Sequence, residues 1–493
     1  MATSRSPRDT SEPGHLATEL PSKALPAVPY ADLPEPLRMR QVLGPSVLLL
    51  AGAIGSGEFV LWPYITSQVG LAVVWLVVVG VLTQYFLNME IERYTLITGE
   101  TAVTGFTRLW KPWSWLFIIM TVVPWAWPGW ATGGTTTLSF VFGFSQEAIP
   151  YITIGVLVLI GLVLTASPVV YQTVEKIQFF MVALIVLFLV YALLFLVGGE
   201  GYAGLADGLV SVGELPDAVS QIGTATLLGA IAFAGAGGAL NLAQSNWVRD
   251  KGLAMGARLP KVVSPFTGEE VAAPTTGFMC RRDEANIRRW RSWWRVADRE
   301  QFVTFFVIGL IALLTFMMLA YSTIGVGNTE AQSFDFIRAQ GEALGETQGS
   351  WLATTFWLIG SVVLFSTNLA VLDMVGRVTA DVLKTGVLRE NQRWSESRVY
   401  FAVVWTEIVF GSIILLSGVT QPLILLVIAS SLNGLVMFVY SALLIQLNRR
   451  TLPAEFRTGG VRLVALFWAV LFYGFFSVIL LIDQFGNLFG GGS

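Results

Sequence analysis

Gly52-Ala53-Ile54-Gly55-Ser56-Gly57-Glu58-Phe59 lies in the middle of the first long apolar run of this chain. A second stretch, Gly229-Ala230-Ile231-Ala232-Phe233-Ala234-Gly235-Ala236-Gly237-Gly238-Ala239-Leu240-Asn241, lies in the middle of the sixth. In both, the unusual residues follow a Gly-Ala-Ile triplet. Glycine weakens a helix interior by about 1 kcal/mol per residue relative to alanine. A carboxylate at bilayer depth costs at least about 2.5 kcal/mol on insertion scales. Such segments are tolerated where irregular backbone lines a cavity. Close helix packing through small residues is the competing reading, and Glu58 beside the glycines argues for the cavity.

The surrounding sequence is that of a polytopic membrane protein. Of 493 residues, 54% are hydrophobic and only 13% charged, with a mean hydropathy of +0.67, whereas soluble domains carry about 25% charged residues. Apolar runs of the length that crosses a bilayer as a helix, about 20 residues, fall near 43–67, 71–97, 113–138, 150–166, 170–198, 221–245, 302–326, 351–376, 399–418, 421–447 and 462–484. The expected fold class is an all-α membrane protein of about eleven transmembrane helices. A membrane barrel would show short alternating strands instead.

Charge placement orients the chain. The 30 Lys and Arg residues, Arg338 excepted, fall in the N-terminal segment or in every second connection between spans. By the positive-inside rule the N-terminus is cytosolic and, with an odd number of spans, the C-terminus external. Residues 1–40 are polar, rich in proline and without an apolar signal core, and are expected to form a disordered cytosolic tail. The long connection 247–300 carries Arg288, Arg289, Trp290, Arg291, Trp293, Trp294 and Arg295, the composition of a helix lying in the membrane interface. Gly490 to Ser493 resembles a linker remnant.

Several functions are excluded by composition. A net charge of −3 gives no basis for nucleic-acid binding. Cys280 is the single cysteine and His15 the single histidine, so no internal disulfide and no His/Cys metal cluster can form. No phosphate-binding loop or catalytic cluster points to an enzyme, and no cofactor is implied.

The two glycine stretches lie five spans apart, at matching places of two halves, 41–200 and 215–447, with 461–485 as an additional helix. Paired interruptions of this kind mark the midplane site of alternating-access carriers. Five is odd, so the halves have opposite topology, the inverted repeat of leucine-transporter-type carriers. Broken first and sixth helices would turn free carbonyls, amides and Glu58 toward one cavity. Candidate substrate-binding residues are Gly55, Ser56, Gly57, Glu58, Phe233, Ala234, Gly235, Gly237, Asn241 and Gln244, with Glu58 as the metal ligand if the cargo is a metal.

The run from Gly44-Pro45 to Phe59 resembles, without a gap, the first helix of the Nramp divalent-metal transporters, where Gly-Pro is followed ten residues on by Asp-Pro-Gly-Asn-Phe. Thr98-Gly99-Glu100, Glu175-Lys176-Ile177-Gln178 and Asp373 with Arg377 agree more loosely. The resemblance implies a carrier with its metal site between helices one and six. The departures are specific. The family's metal-binding Asp falls on Gly55, its Pro on Ser56 and its Asn on Glu58. Its helix-six thioether has no counterpart, because no methionine lies between Met181 and Met255, and its helix-six histidine is missing too. Its third-helix acids are replaced by Trp125-Ala126-Trp127-Pro128-Gly129-Trp130.

Oxygen ligands alone suit hard cations such as Mg²⁺ or Mn²⁺, and the missing third-helix acids imply weak or no proton coupling. The alternative cargo is a small organic solute, an amino acid or related carboxylate, since Gly-Ser-Gly-x-Phe also resembles the first-helix break of amino-acid permeases. Glu407, near the centre of the ninth span, is a candidate for proton handling or for a buried structural role. Asp373, Arg377 and Asp381, spaced i, i+4, i+8, form either a gate or a structural ladder. The tryptophans of the third span either line the cavity or pack the core. The expected partners are the transported solute or cation and the lipid of a bacterial-type plasma membrane.

Overall fold

Pro45, placed just inside a helix start where its missing N–H is harmless, opens α1 (Pro45–Val69). The first span does not break. Ile54–Leu61 winds as a π-helix between two α-helical segments, and the Trp62 N–H donates to the Gly57 carbonyl five residues back. The wider turn accommodates Gly55, Ser56 and Gly57 within one continuous helix. π-turns inside helices concentrate at functional sites, so the expected interruption is corrected to a change of winding. α2 (Val74–Thr98) ends where Gly99 takes a left-handed conformation and returns its N–H to the Thr95 carbonyl.

The computed structural model describes residues 15–216, 222–263, 276–327, 333–391 and 393–489, with backbone alone for 484–489. The linker-like end, 490–493, lies outside them. The third expected span is two helices, α3 (Trp113–Trp125) and α4 (Gly129–Phe142). Pro128, which cannot donate a backbone hydrogen bond, separates them. α5 (Ile149–Ala166) and α6 (Val170–Tyr191) follow. The sixth span is interrupted as expected, with α7 (Thr224–Ala232) and α8 (Gly238–Lys251) separated by Phe233–Gly237. Then come α9 (Glu284–Thr323), α10 (Asp335–Gln348), α11 (Ser350–Thr385), α12 (Glu396–Leu416), α13 (Pro422–Arg450) and α14 (Gly460–Phe489). Among the described residues nine helices are long and apolar enough to cross a membrane. The interrupted third and sixth spans are not among these nine.

α1 is wholly buried, while α5, α6 and α14 leave most of their side chains at least partly exposed. Phe180, Leu187, Leu194 and Leu471 are each about two-thirds exposed. Apolar surface this extensive is stable only against hydrocarbon, and the chain is an integral membrane protein.

Two expectations are corrected at the basic end of the bundle. Residues 15–33, expected to be disordered, are packed: β1 (Tyr30–Ala31) pairs in parallel with β2 (Met279–Cys280), and Leu20, Val28 and Leu33 are buried. Arg108 forms a buried pair with Glu100 at 2.6 Å and also donates to the carbonyls of Pro21 and Pro26 at 3.1 and 2.8 Å. The prolines that signalled disorder instead offer carbonyls to a guanidinium. The Trp/Arg segment is not a separate interfacial helix. It is the first part of α9, which continues through a π-turn at Phe302–Ile308 into the seventh span. Its Trp293 is buried and donates to the Pro34 carbonyl at 2.9 Å, and Arg93 stacks over Trp294 at 4.1 Å.

Candidate substrate site

The helix-six break is made possible by three glycines in the left-handed region: Gly235 (φ 113°), Gly237 (φ 77°) and Gly238 (φ 53°). Other side chains adopt these angles only with strain. The exposed backbone groups are partly claimed by polar side chains. Gln84 of α2 donates to the Ala232 carbonyl at 2.9 Å and accepts from the Gly237 N–H at 3.0 Å. Asn433 of α13 accepts from the Ala239 N–H at 3.3 Å. Gln84 holds the backbone of the break, and sequence reasoning passed over it. Its signal was available, because Gln84, Asn88 and Glu92 repeat every four residues along one face of the helix.

The π-helical segment of α1 touches this break directly. A Cβ on Gly57 would lie 1.6 Å from the Phe233 carbonyl oxygen, so only glycine permits the approach. Gly55 faces α11: its N–H donates to Thr367 Oγ1 at 3.0 Å, and that hydroxyl donates onward to the Ala51 carbonyl at 2.8 Å. Ser56 accepts from the indole N–H of Trp130 at 2.9 Å. Trp130 stacks on Trp125 with centroids 5.1 Å apart, and Trp125 on Phe233 at 5.5 Å. Gly57, Ser56, Phe233 and the two tryptophans thus converge where α1, α3–α4 and the break meet. Glu58, next in sequence, is buried, and its Oε2 has no hydrogen-bond partner.

The other candidates are distributed differently. Asn241 and Gln244 enter a polar seam between α2, α8 and α9. Asn241 Nδ2 donates to Asn88 Oδ1 at 2.6 Å and to Gln84 Oε1 at 3.2 Å. Gln244 Nε2 donates to Glu92 Oε2 at 3.1 Å and to Gln301 Oε1 at 2.9 Å. Asp373 and Arg377 belong to a buried charge network closing the basic end. Arg377 pairs with Asp373 at 2.7 Å and with Asp250 of α8. Asp373 also accepts from Trp247 at 2.9 Å and Tyr400 at 2.8 Å. Arg249 bridges Asp381 at 2.6 Å and Glu396 at 2.5 Å. The network ties the far end of α8 to α11 and α12. Glu407 takes no part in it, and both its carboxyl oxygens are unpartnered. It lines an apolar groove of about 710 Å³ with Trp127, Thr379 and Phe410.

No family model and no curated protein matches this sequence. Solved structures do match in fold. A manganese transporter of Eremococcus coleocola, in one variant, is 13% identical over 96% of this chain and 92% of its own, with a TM-score of 0.65. A second variant of it is 12% identical over the same shares, with a TM-score of 0.66. MhsT in complex with L-phenylalanine is 12% identical over 91% of this chain and 100% of its own, with a TM-score of 0.51. The chain therefore has the leucine-transporter-type fold, similar to both a metal carrier and a protein that holds an amino acid.

Proposed function

We propose that the chain is an Nramp-related secondary carrier that works by alternating access and moves a hard divalent cation such as Mg²⁺ or Mn²⁺ through the meeting point of α1 and the α7–α8 break. The observation that carries this reading is the buried, unpartnered carboxyl oxygen of Glu58, the residue that follows Gly57, whose backbone meets the break at Phe233. A buried carboxylate requires a counter-charge or a proton. A cation held by Glu58, by break carbonyls and by retained water would meet that need, in the manner of hard ions. Among the described residues no group of three or more His, Cys, Asp or Glu could hold a metal. One carboxylate with neutral oxygens is a weak site, which suits cargo that must leave. With thioether and imidazole absent, selection for softer metals has no ligand basis. The third span carries no acid, so any proton coupling must use acids elsewhere.

In this reading the network around Arg377, Asp250 and Asp373 is the closed cytosolic gate, broken and remade in each cycle. The test is uptake into proteoliposomes. Mg²⁺ or Mn²⁺ should accumulate, and Glu58→Gln should abolish uptake. Failure of every divalent ion to be carried or to compete removes the reading.

A second reading, a carrier of an amino acid or related carboxylate, is favoured by the stack of Trp125, Trp130 and Phe233 beside the break. An aromatic wall serves an organic solute better than a hydrated ion. Accumulation of labelled amino acids without divalent transport would select it.

A further inference from the structure

The polar seam between α2, α8 and α9 contains one hydrogen-bond chain whose donors do not suffice for its contacts. It runs from Glu300 through Ser46, Gln301 and Gln244 to Glu92, and all five side chains are buried. Ser46 Oγ contacts both Glu300 Oε2 and Gln301 Oε1. Gln244 Nε2 contacts that same Gln301 oxygen at 2.9 Å and Glu92 Oε2 at 3.1 Å. Four contacts thus join five groups from four helices, with ionisable carboxyls at both ends.

Counting hydrogens decides the protonation of the chain. In one orientation of the amides, Gln244 spends its two N–H hydrogens on Gln301 and Glu92. Ser46 then has one hydrogen for two acceptors, so Glu300 must be protonated and donate to Ser46. Amide oxygen and nitrogen are interchangeable by rotation. Rotating both amides lets Gln301 donate to Ser46 and Gln244, and Ser46 donate to ionised Glu300. The Gln244 oxygen then faces Glu92, which must be protonated instead. Rotating only one amide sets two donors or two acceptors against each other. A buried acceptor facing another acceptor is costly.

We propose that this chain is a proton-binding site that holds a single proton, resident on Glu300 or on Glu92. The neighbouring charges do not remove the need for it. Lys251 and Tyr171 lie within electrostatic reach of Glu300, but Lys251 is paired with Glu175 at 2.6 Å, and Tyr171 also contacts Glu175, at 3.3 Å. Asp298, near Glu92, is paired with Arg462 at 2.5 Å and accepts from Tyr85 at 2.6 Å. Glu90, on the same helix as Glu92, is paired with Arg93 at 2.7 Å. Ser46 sits on α1 and its two acceptors on α9. Separating these helices removes the contact that demands the proton, so one proton leaves when α1 moves from α9. That linkage to transport rests on the carrier reading above; the proton itself does not.

Infrared difference spectroscopy of the purified full-length protein, with exchange into heavy water to mark carboxyl groups, tests the count without any substrate. At neutral pH the double variant Glu92→Gln/Glu300→Gln should lose one protonated-carboxyl band equivalent relative to wild type. Loss of two equivalents, or of none, overturns the proposal. Ser46→Ala removes the demand but neither acid, and should lower the pH at which the band disappears by at least about one unit. Either single glutamine variant should do the same, since a glutamine amide supplies the missing hydrogen. A band in Ser46→Ala that titrates as in wild type also overturns it. So does a wild-type protein that has no such band and is stabilised by added sodium, which would place a metal cation in the seam.

Discussion

Gly57 and Phe233 are in backbone contact across the two spans that flank the candidate site, with no room for even a methyl group between the α-carbon of one and the carbonyl of the other. Gly57→Ala should therefore force α1 away from the break. Overpacking of a well-filled interior costs about 1–3 kcal/mol, and here the obstacle is backbone that cannot rotate aside. The expected outcome is a clearly lower unfolding temperature in detergent together with loss of transport. Gly155→Ala is the control. It lies within α5 with nothing inside 4 Å of the added carbon, and replacing a helical glycine there should stabilise by up to about 1 kcal/mol.

Arg377 is fully buried between Asp373 and Asp250. Arg377→Ala leaves Asp373 without its cation and Asp250 with Arg249 alone, at 3.1 Å, and breaking a buried pair from one side costs about 3–5 kcal/mol. Arg338 and Glu342 form an i,i+4 pair at 2.9 Å that is more than half exposed, and such pairs contribute about 0–1 kcal/mol. Denaturation midpoints of Arg377→Ala and Arg338→Ala should differ accordingly. Equal effects would show that the Arg377 network is wetter than its burial implies.

The indole N–H of Trp130 is committed to Ser56. Ser56→Ala strands that donor in a dry interior, at about 1–3 kcal/mol. Ser56→Thr keeps the hydroxyl. If the bond fixes the aromatic wall of the site, alanine should change the fluorescence of the buried tryptophans and reduce uptake, while threonine should preserve more of both. Identical behaviour of the two variants would deny the bond any positioning role.

The sequence reveals the spans because hydrocarbon imposes a length and a composition, and it reveals the helix-six break because three glycines at positive φ have no helical alternative. The first-span stretch is misjudged for a related reason. Gly-Ser-Gly-Glu disfavours an α-helix, but propensity does not distinguish unwinding from a π-turn, which depends on what Thr367, Trp130 and Phe233 offer as neighbours. The break at Pro128 was within reach of the same reasoning, since proline cannot continue a helix hydrogen-bond ladder. Asn241 and Gln244 stand out as polar residues after the helix-six glycines, yet their partners Asn88, Glu92 and Gln301 come from two other helices. No spacing rule within one segment joins them. The packed residues 15–33 are hidden for a similar reason, because their partners are Arg108, Cys280 and Asn286, far along the chain.

That N-terminal packing has a chemical readout in Cys280. Cys280 belongs to β2, where it pairs with Ala31 of β1, and its thiol is buried. Burial pushes its pKa up, and the nearby Asp283 and Asp32 carboxylates push it further. A free thiol ionises near pH 8.5, and only the thiolate is an effective nucleophile. A raised value keeps Cys280 protonated and inert through that range. Native protein at pH 8.5 should therefore resist a maleimide or iodoacetamide, and modification should rise as pH climbs far above it. Deleting residues 1–33 removes β1 together with Leu20, Val28 and Leu33, and uncovers the sulfur. That variant should label readily at pH 8.5, at a rate approaching that of the denatured chain. Arg108→Ala cuts the hydrogen bonds to the Pro21 and Pro26 carbonyls and should give an intermediate rate without any change at Cys280 itself. Rapid labelling of the intact protein would mean that the N-terminal segment does not cover β2 in solution.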